Sequence, residues 1–292
     1  MTPDAALILC RFLFDGAAVF LWGASAYICW IMPADLAAQV GRRLRHWYAL
    51  ATLLIIGTTA SHLPLQAATI GDGWADALAP QMLSSILSET SVGQAWIAQV
   101  GAAILLVASC LAPVRFRYRV RALSAGLLLI SLTISGHAAM NSDWLRTMHR
   151  LNHGLHLLSG GAWLGALIPV VVILPMLHDA RWQKDARTAL MRFSTAGHVA
   201  VALVIMTGII NTILIVGSAP LDWQLDYQFL LSIKILIVFV LVALAVTNRY
   251  LLVPRLSRNP SLQPLKWATG AEIALGFAVL GLVSVFGTLQ PT

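Results

Sequence analysis

The sequence predicts an all-α, polytopic membrane helix bundle of eight transmembrane helices with both termini periplasmic. Three observations carry this: a composition 59% hydrophobic and only 11% charged, apolar stretches of spanning length, and basic residues confined to alternate connections. Soluble domains carry about a quarter charged residues, whereas a mean hydropathy of +0.80 over 292 residues belongs to a chain that lives in lipid. A span needs about 20 apolar residues, so the chain is filled by helices and short loops as a single membrane domain, 1–292. No G-x-x-x-x-G-K-[ST] or D-K-T-G segment is present, which excludes direct ATP hydrolysis and leaves no nucleotide site.

The spans fall at 5–31, 46–65, 94–112 and 121–140, the first four helices within 5–140, and at 151–177, 193–216, 228–253 and 267–288, the last four within 151–288. The first lacks a basic n-region and carries Arg11 and Asp15 in its apolar core, so it reads as a retained helix rather than a signal peptide. Fifteen of the nineteen basic residues lie in one set of connections, from Arg42 to Lys266, and seven of the twelve acids in the other set. Positive charge marks the cytoplasmic side, so the net +7 reports topology, not nucleic acid, and both ends of the chain face outward. Seven tryptophans, from Trp47 to Trp267, sit near span ends as interface anchors. Cys10, Cys29 and Cys110 lie in apolar stretches at unrelated spacings and suggest neither disulfide nor zinc site.

Within the spans each ionisable group needs a partner or a task, because burial in lipid is costly. Near the outer face lie His62 at the end of span two, His137 and Met140 at the end of span four, and His149, His153 and His156 at the start of span five. At about 100° per residue the last three share one helix face, a spacing at which imidazoles approach one ion. For His149 the alternative is a place before the apolar span, at the water interface. Soft thioethers beside imidazoles, with Met82 and Met148 also in outer segments, favour Cu(I) over Cu(II). Arg11 and Asp15 are spaced to neutralise each other, or to stand behind the histidines, and Lys234 reaches the same level from span seven.

An inner station is readable in His198, Asn248 and Glu272, with a pairing of Glu272 to Arg249 or Lys266 as the alternative. The loop 64–93 follows His62 and contains a short helix over 81–87, placed to cover the histidine mouth. Phe20-Leu21-Trp22-Gly23-Ala24 echoes Ala162-Trp163-Leu164-Gly165-Ala166, which raises a parallel four-helix repeat.

Ser135-Gly136-His137-Ala138, His153 and His156 before Gly160-Gly161-Ala162-Trp163-Leu164-Gly165-Ala166-Leu167, Arg192-Phe193-Ser194, Gly208-x-x-Asn211, Asn248-Arg249-Tyr250-Leu251-x-Val253-Pro254 and Glu272-x-x-Leu275-Gly276 occur in that order. In this the chain resembles the bacterial CopD/PcoD copper-resistance proteins of the inner membrane, with the CopD-like region at about 190–290. The resemblance implies copper handling, movement of copper toward the cytoplasm, and a small periplasmic copper-binding partner of the CopC type. No catalytic residue is assigned. A second reading stays open: a b-type haem or copper redox protein linked to quinol or periplasmic partners, since paired membrane histidines also hold haem iron.

Overall fold

The computed structural model describes residues 1–136, 142–253 and 261–290. Ten α-helices account for most of them. They are α1 (Pro3–Ala26), α2 (Ala34–Arg43), α3 (Arg45–Ile70), α4 (Pro80–Glu89), α5 (Ser91–Leu111), α6 (Val114–Ser131), α7 (Asp143–Ile173), α8 (Gln183–Val216), α9 (Asp226–Thr247) and α10 (Gln263–Phe286). The described residues form no strand, as a chain that must satisfy its backbone inside lipid requires.

Local signals set the helix ends. Thr2 accepts the N–H of Ala5 at 3.3 Å and Pro3 opens α1, while Thr90 caps α5 through the N–H of Gly93 at 3.1 Å. Gly217, at φ 77°, closes α8 in the left-handed conformation. α1 and α9 each end in a π-type turn, Tyr27–Ile31 and Asn248–Leu252, and α7 ends in a 3₁₀ turn, Leu174–His178.

Among the described residues seven helical segments are long and apolar enough to cross a membrane. α6 is the eighth expected span; its first turns carry four arginines and its expected end falls at 137–141, outside the described residues. Arg121 is buried there because its guanidinium lies 4.3 Å over the Tyr48 ring. Helices α7 and α8 start eight to ten residues earlier than hydropathy predicts (Asp143 for 151, Gln183 for 193), since polar first turns extend them beyond the apolar layer. One correction follows: His149 is inside α7 and fully buried, not at an interface before it.

α1 packs against α3, α6, α7 and α10, and the main core gathers around it, from Phe14 through Tyr27 to Ile173 and Ala189. Its closest neighbour is α7. A Cβ on Gly23 would stand 2.7 Å from the Gly165 Cα, and one on Gly165 would stand 2.1 Å from the Val19 carbonyl oxygen. The two motifs that echo each other in the sequence therefore meet face to face through their glycines. Trp22 completes the crossing by donating to the Leu158 carbonyl at 2.8 Å.

Both ends of the chain lie at one end of the bundle, the upper end: Arg11 donates to the Gly287 carbonyl at 3.1 Å and Trp74 to the Met1 carbonyl at 3.2 Å. The lower end holds α2, the Leu174–His178 turn and the Arg192 bond to the Ile31 carbonyl at 3.1 Å. α4 forms where a short helix was expected, but it packs on α3 and α5 through Leu63, Ala67 and Ile86. It thus sits beside His62 and not across the α7 histidines.

Gly165→Val drives a side chain into the α1 backbone and is expected to destabilise the protein by about 1–3 kcal/mol or more, read as a fall in thermal midpoint in detergent. Gly57→Ala, where a Cβ meets nothing within 4 Å, is the matched control and should leave the midpoint level or raise it. For orientation, alkaline phosphatase fused after Thr292 should be active, and fused in the Asp179–Trp182 connection inactive; the reverse pattern inverts the assignment.

Candidate metal-transfer site

The upper half of α7 presents its polar face to α8. His156 Nδ1 lies 3.0 Å from the Thr207 hydroxyl oxygen, and that hydroxyl lies 2.5 Å from the Leu203 carbonyl one turn back. A hydroxyl has one proton, and the carbonyl, which only accepts, takes it; Nδ1 must then carry a proton and donate to Oγ1. This pairing favours the Nδ1–H tautomer of His156, in which Nε2 is the acceptor nitrogen. Gly208 leaves room for the ring: a Cβ there would stand 3.4 Å from Cε1.

One turn up, Asn152 donates to the Thr207 carbonyl and to Asn211 Oδ1, both at 2.9 Å, and the Asn211 amide lies 3.4 Å from His153 Nδ1. The His153 and His156 rings stack at 6.5 Å between centroids with a 12° interplanar angle. His153 and His156 thus share a face, and α8 supplies the groups that orient it. Lys234 of α9 places its ammonium 5.7 Å from the centre of the Phe286 ring.

The other expected members are distributed differently. His62 lies on α3 with its Nε2 3.4 Å from the Gln66 amide, and α1 packs between α3 and α7. The Arg11 guanidinium caps the Gly287 carbonyl. His137 and Met140 lie outside the described residues. Met82 packs in the α4 cluster and Met148 is exposed. Among the described residues no three His, Cys, Asp or Glu side chains converge on one point.

At the lower end, His198, Asn248 and Glu272 line one cleft of about 1260 Å³ between α7, α8, α9 and α10. Glu272 is 3% exposed and accepts from the Asn248 amide. Of its two expected cationic partners, Arg249 is engaged elsewhere: it donates to the Ser194 hydroxyl and lies over the Tyr250 ring. His198 Nε2 is 3.2 Å from the Tyr250 hydroxyl and its Nδ1 2.6 Å from the Ser194 carbonyl. Asn248 is nine-tenths buried, and its Oδ1 has no hydrogen-bond partner among the described residues, so an acceptor faces the polar corner beside the Glu272 carboxyl. Thr207, Asn152, Ser194 and Tyr250 were not legible as site residues. Hydroxyl and amide groups in spans are ordinary helix content, and Gly208-x-x-Asn211 was the only signal pointing toward Thr207.

A profile described as Copper resistance protein D-like, N-terminal domain, matches residues 1–147, and one described as Copper resistance protein D matches residues 187–286. The chain belongs to the copper resistance protein D family. Within it, the chain is 32% identical to Inner membrane protein YebZ of Escherichia coli (strain K12) over 97% of its own length and 98% of the relative's. It is 29% identical to Copper resistance protein D of Pseudomonas syringae pv. tomato over 70% of this chain and 71% of that one. It is 31% identical to Copper transport protein CutJ of Bacillus subtilis (strain 168) over 78% of this chain and 42% of that one. No solved structure matches the chain. As a member of the copper resistance protein D family it is a multi-pass inner-membrane protein set in the lipid bilayer.

Thr207→Val removes the acceptor that fixes His156 while keeping side-chain volume. In protein labelled with ¹⁵N-histidine, the two ring nitrogens of His156 are expected to move from distinct protonated and bare values toward the averaged values of mixed tautomers. Retention of the distinct pair would show that another group fixes the ring.

Proposed function

We propose that the protein accepts copper at its upper, periplasmic end on the His153–His156 face of α7 and passes it inward toward Asn248 and Glu272. The observation that carries this reading is the Thr207-oriented His156, whose Nε2 is left to bind a cation among groups that are otherwise hydrogen-bonded to one another. Imidazole is a borderline-to-soft donor, and His137 and Met140, expected at the same depth, would complete a set suited to Cu(I). His149 lies on the same α7 face two turns above His156, which makes it the first imidazole an incoming ion meets. His62 and Asp15, on the far side of α7 from that face, act at the mouth rather than as ligands.

Lys234 has a complementary part in this scheme. A resident positive charge weakens the hold on a second cation, and a transfer site must bind loosely enough to release. At the lower end the Glu272 carboxyl and the orphan Asn248 oxygen offer two hard acceptors, with His198 on the rim of the same cleft. The membrane potential drives a monovalent cation inward by about 2.3 kcal/mol per 100 mV, so the route needs no nucleotide. A periplasmic copper-binding protein of the CopC type is the proposed donor at the upper end. The haem reading has less support, because the groups that meet the His156 ring are Thr207 and Gly208 of α8 rather than a facing histidine.

Copper bound per purified protein should fall in His156→Ala and in His137→Ala, and Thr207→Val should weaken affinity by about 10–100-fold. Glu272→Gln should keep the upper copper yet slow copper entry into proteoliposomes. Unchanged stoichiometry in both histidine variants would remove the site assignment, and a reduced-minus-oxidised haem band would favour the redox reading.

A further inference from the structure

α8 packs along α7, and α9 packs along α10, but α8 and α9 do not pack extensively on each other. The cleft of about 1260 Å³ lies between them. Its walls are apolar, among them Leu167, Val170, Val201, Ile205, Val242 and Val246. Ile205 and Val246 are also exposed, so the cleft opens sideways onto the bilayer between the two spans. Pockets for small ligands run to about 1,000 Å³; this one is larger, elongated along two spans, and faces acyl chains. Left unfilled, its lining would forgo dispersion contacts along the whole wall.

Charge at the lower rim distinguishes among lipids. The titratable groups lining the cleft are His178, Arg187, His198, Arg249, Tyr250 and Glu272. Glu272 is withdrawn at the back, bonded by Asn248, whereas Arg187 is exposed and Arg249 half-buried. The rim is therefore net positive, at the end of the bundle where basic residues dominate the connections. Guanidinium groups pair with phosphate through parallel hydrogen bonds, and basic pockets between spans are the usual seats of anionic headgroups.

We propose that the cleft between α8 and α9 binds an anionic phospholipid, its phosphate held by Arg187 and Arg249 and its acyl chains laid along the apolar walls. The lipid supplies the missing wall between the two spans and shields the Asn248–Glu272 corner from the bilayer. This proposal does not depend on copper being the cargo.

The test uses the full chain in mild detergent, incubated with dioleoyl phosphatidylglycerol or dioleoyl phosphatidylcholine, with bound lipid counted by native mass spectrometry. One phosphatidylglycerol per protein is expected, at roughly thirtyfold preference over the zwitterionic lipid of identical chains. Arg187→Gln, at an exposed position, should cost about fivefold of that preference, and Arg187→Gln with Arg249→Gln should bring the two lipids to parity. Gly197 lines the cleft and a Cβ there meets nothing within 4 Å. Gly197→Phe should therefore fill the cleft and expel both lipids while the thermal midpoint holds. Equal binding of the two lipids by the unaltered protein would overturn the proposal, as would a preference that survives in both Arg187→Gln and Gly197→Phe.

Discussion

The glycine crossing of α1 and α7 brings two helix backbones into contact, and the packing of the other helices is built around it. Lipid offers helices no hydrophobic reason to associate, so close backbone packing between small residues has to supply the attraction. Gly23 and Gly165 let the two backbones touch, Trp22 locks the crossing on the Leu158 carbonyl, and Gly126 and Gly161 leave space for the indole. With α1 and α7 joined, α3 and α6 gather on α1, α10 bridges both through Phe277 over Gly16 and Leu164 over Gly276, and α8 is left with the free face of α7.

That free face is where the polar chemistry collects. Its upper part carries His149, His153 and His156, and α8 answers with Thr207 and Asn211. Its lower part, at Trp163, Leu167 and Val170, forms the apolar back of the cleft, whose polar corner is assembled from α8, the π-type turn after α9, and α10. One long helix, α8, thus serves both levels, with Thr207 in its upper half and Ser194 and His198 two to four turns below.

The family motifs acquire a physical meaning in this setting, because nearly every one of them makes a contact between helices. Gly165 meets Gly23, Gly208 meets His156, Asn211 meets Asn152, Arg192 meets the Ile31 carbonyl, Arg249 meets Ser194, Asn248 meets Glu272, and Gly276 meets Leu164. These are positions where a side chain or its absence is dictated by a neighbour far along the chain.

Membrane class, the places of seven spans and the short helix after His62 were legible in the sequence. So was the common face of His149, His153 and His156. Depth is a one-dimensional property that apolar run length fixes, and a shared face is set by helical pitch alone. Azimuth is neither. That His62 is parted from His156 by α1, that Arg11 reaches the Gly287 carbonyl, and that Glu272 receives Asn248 rather than Arg249 depend on how each helix is rotated about its axis. Rotation is decided by side-chain packing between helices distant in the chain, so only the tertiary structure could place Thr207 behind His156 and open the cleft between α8 and α9.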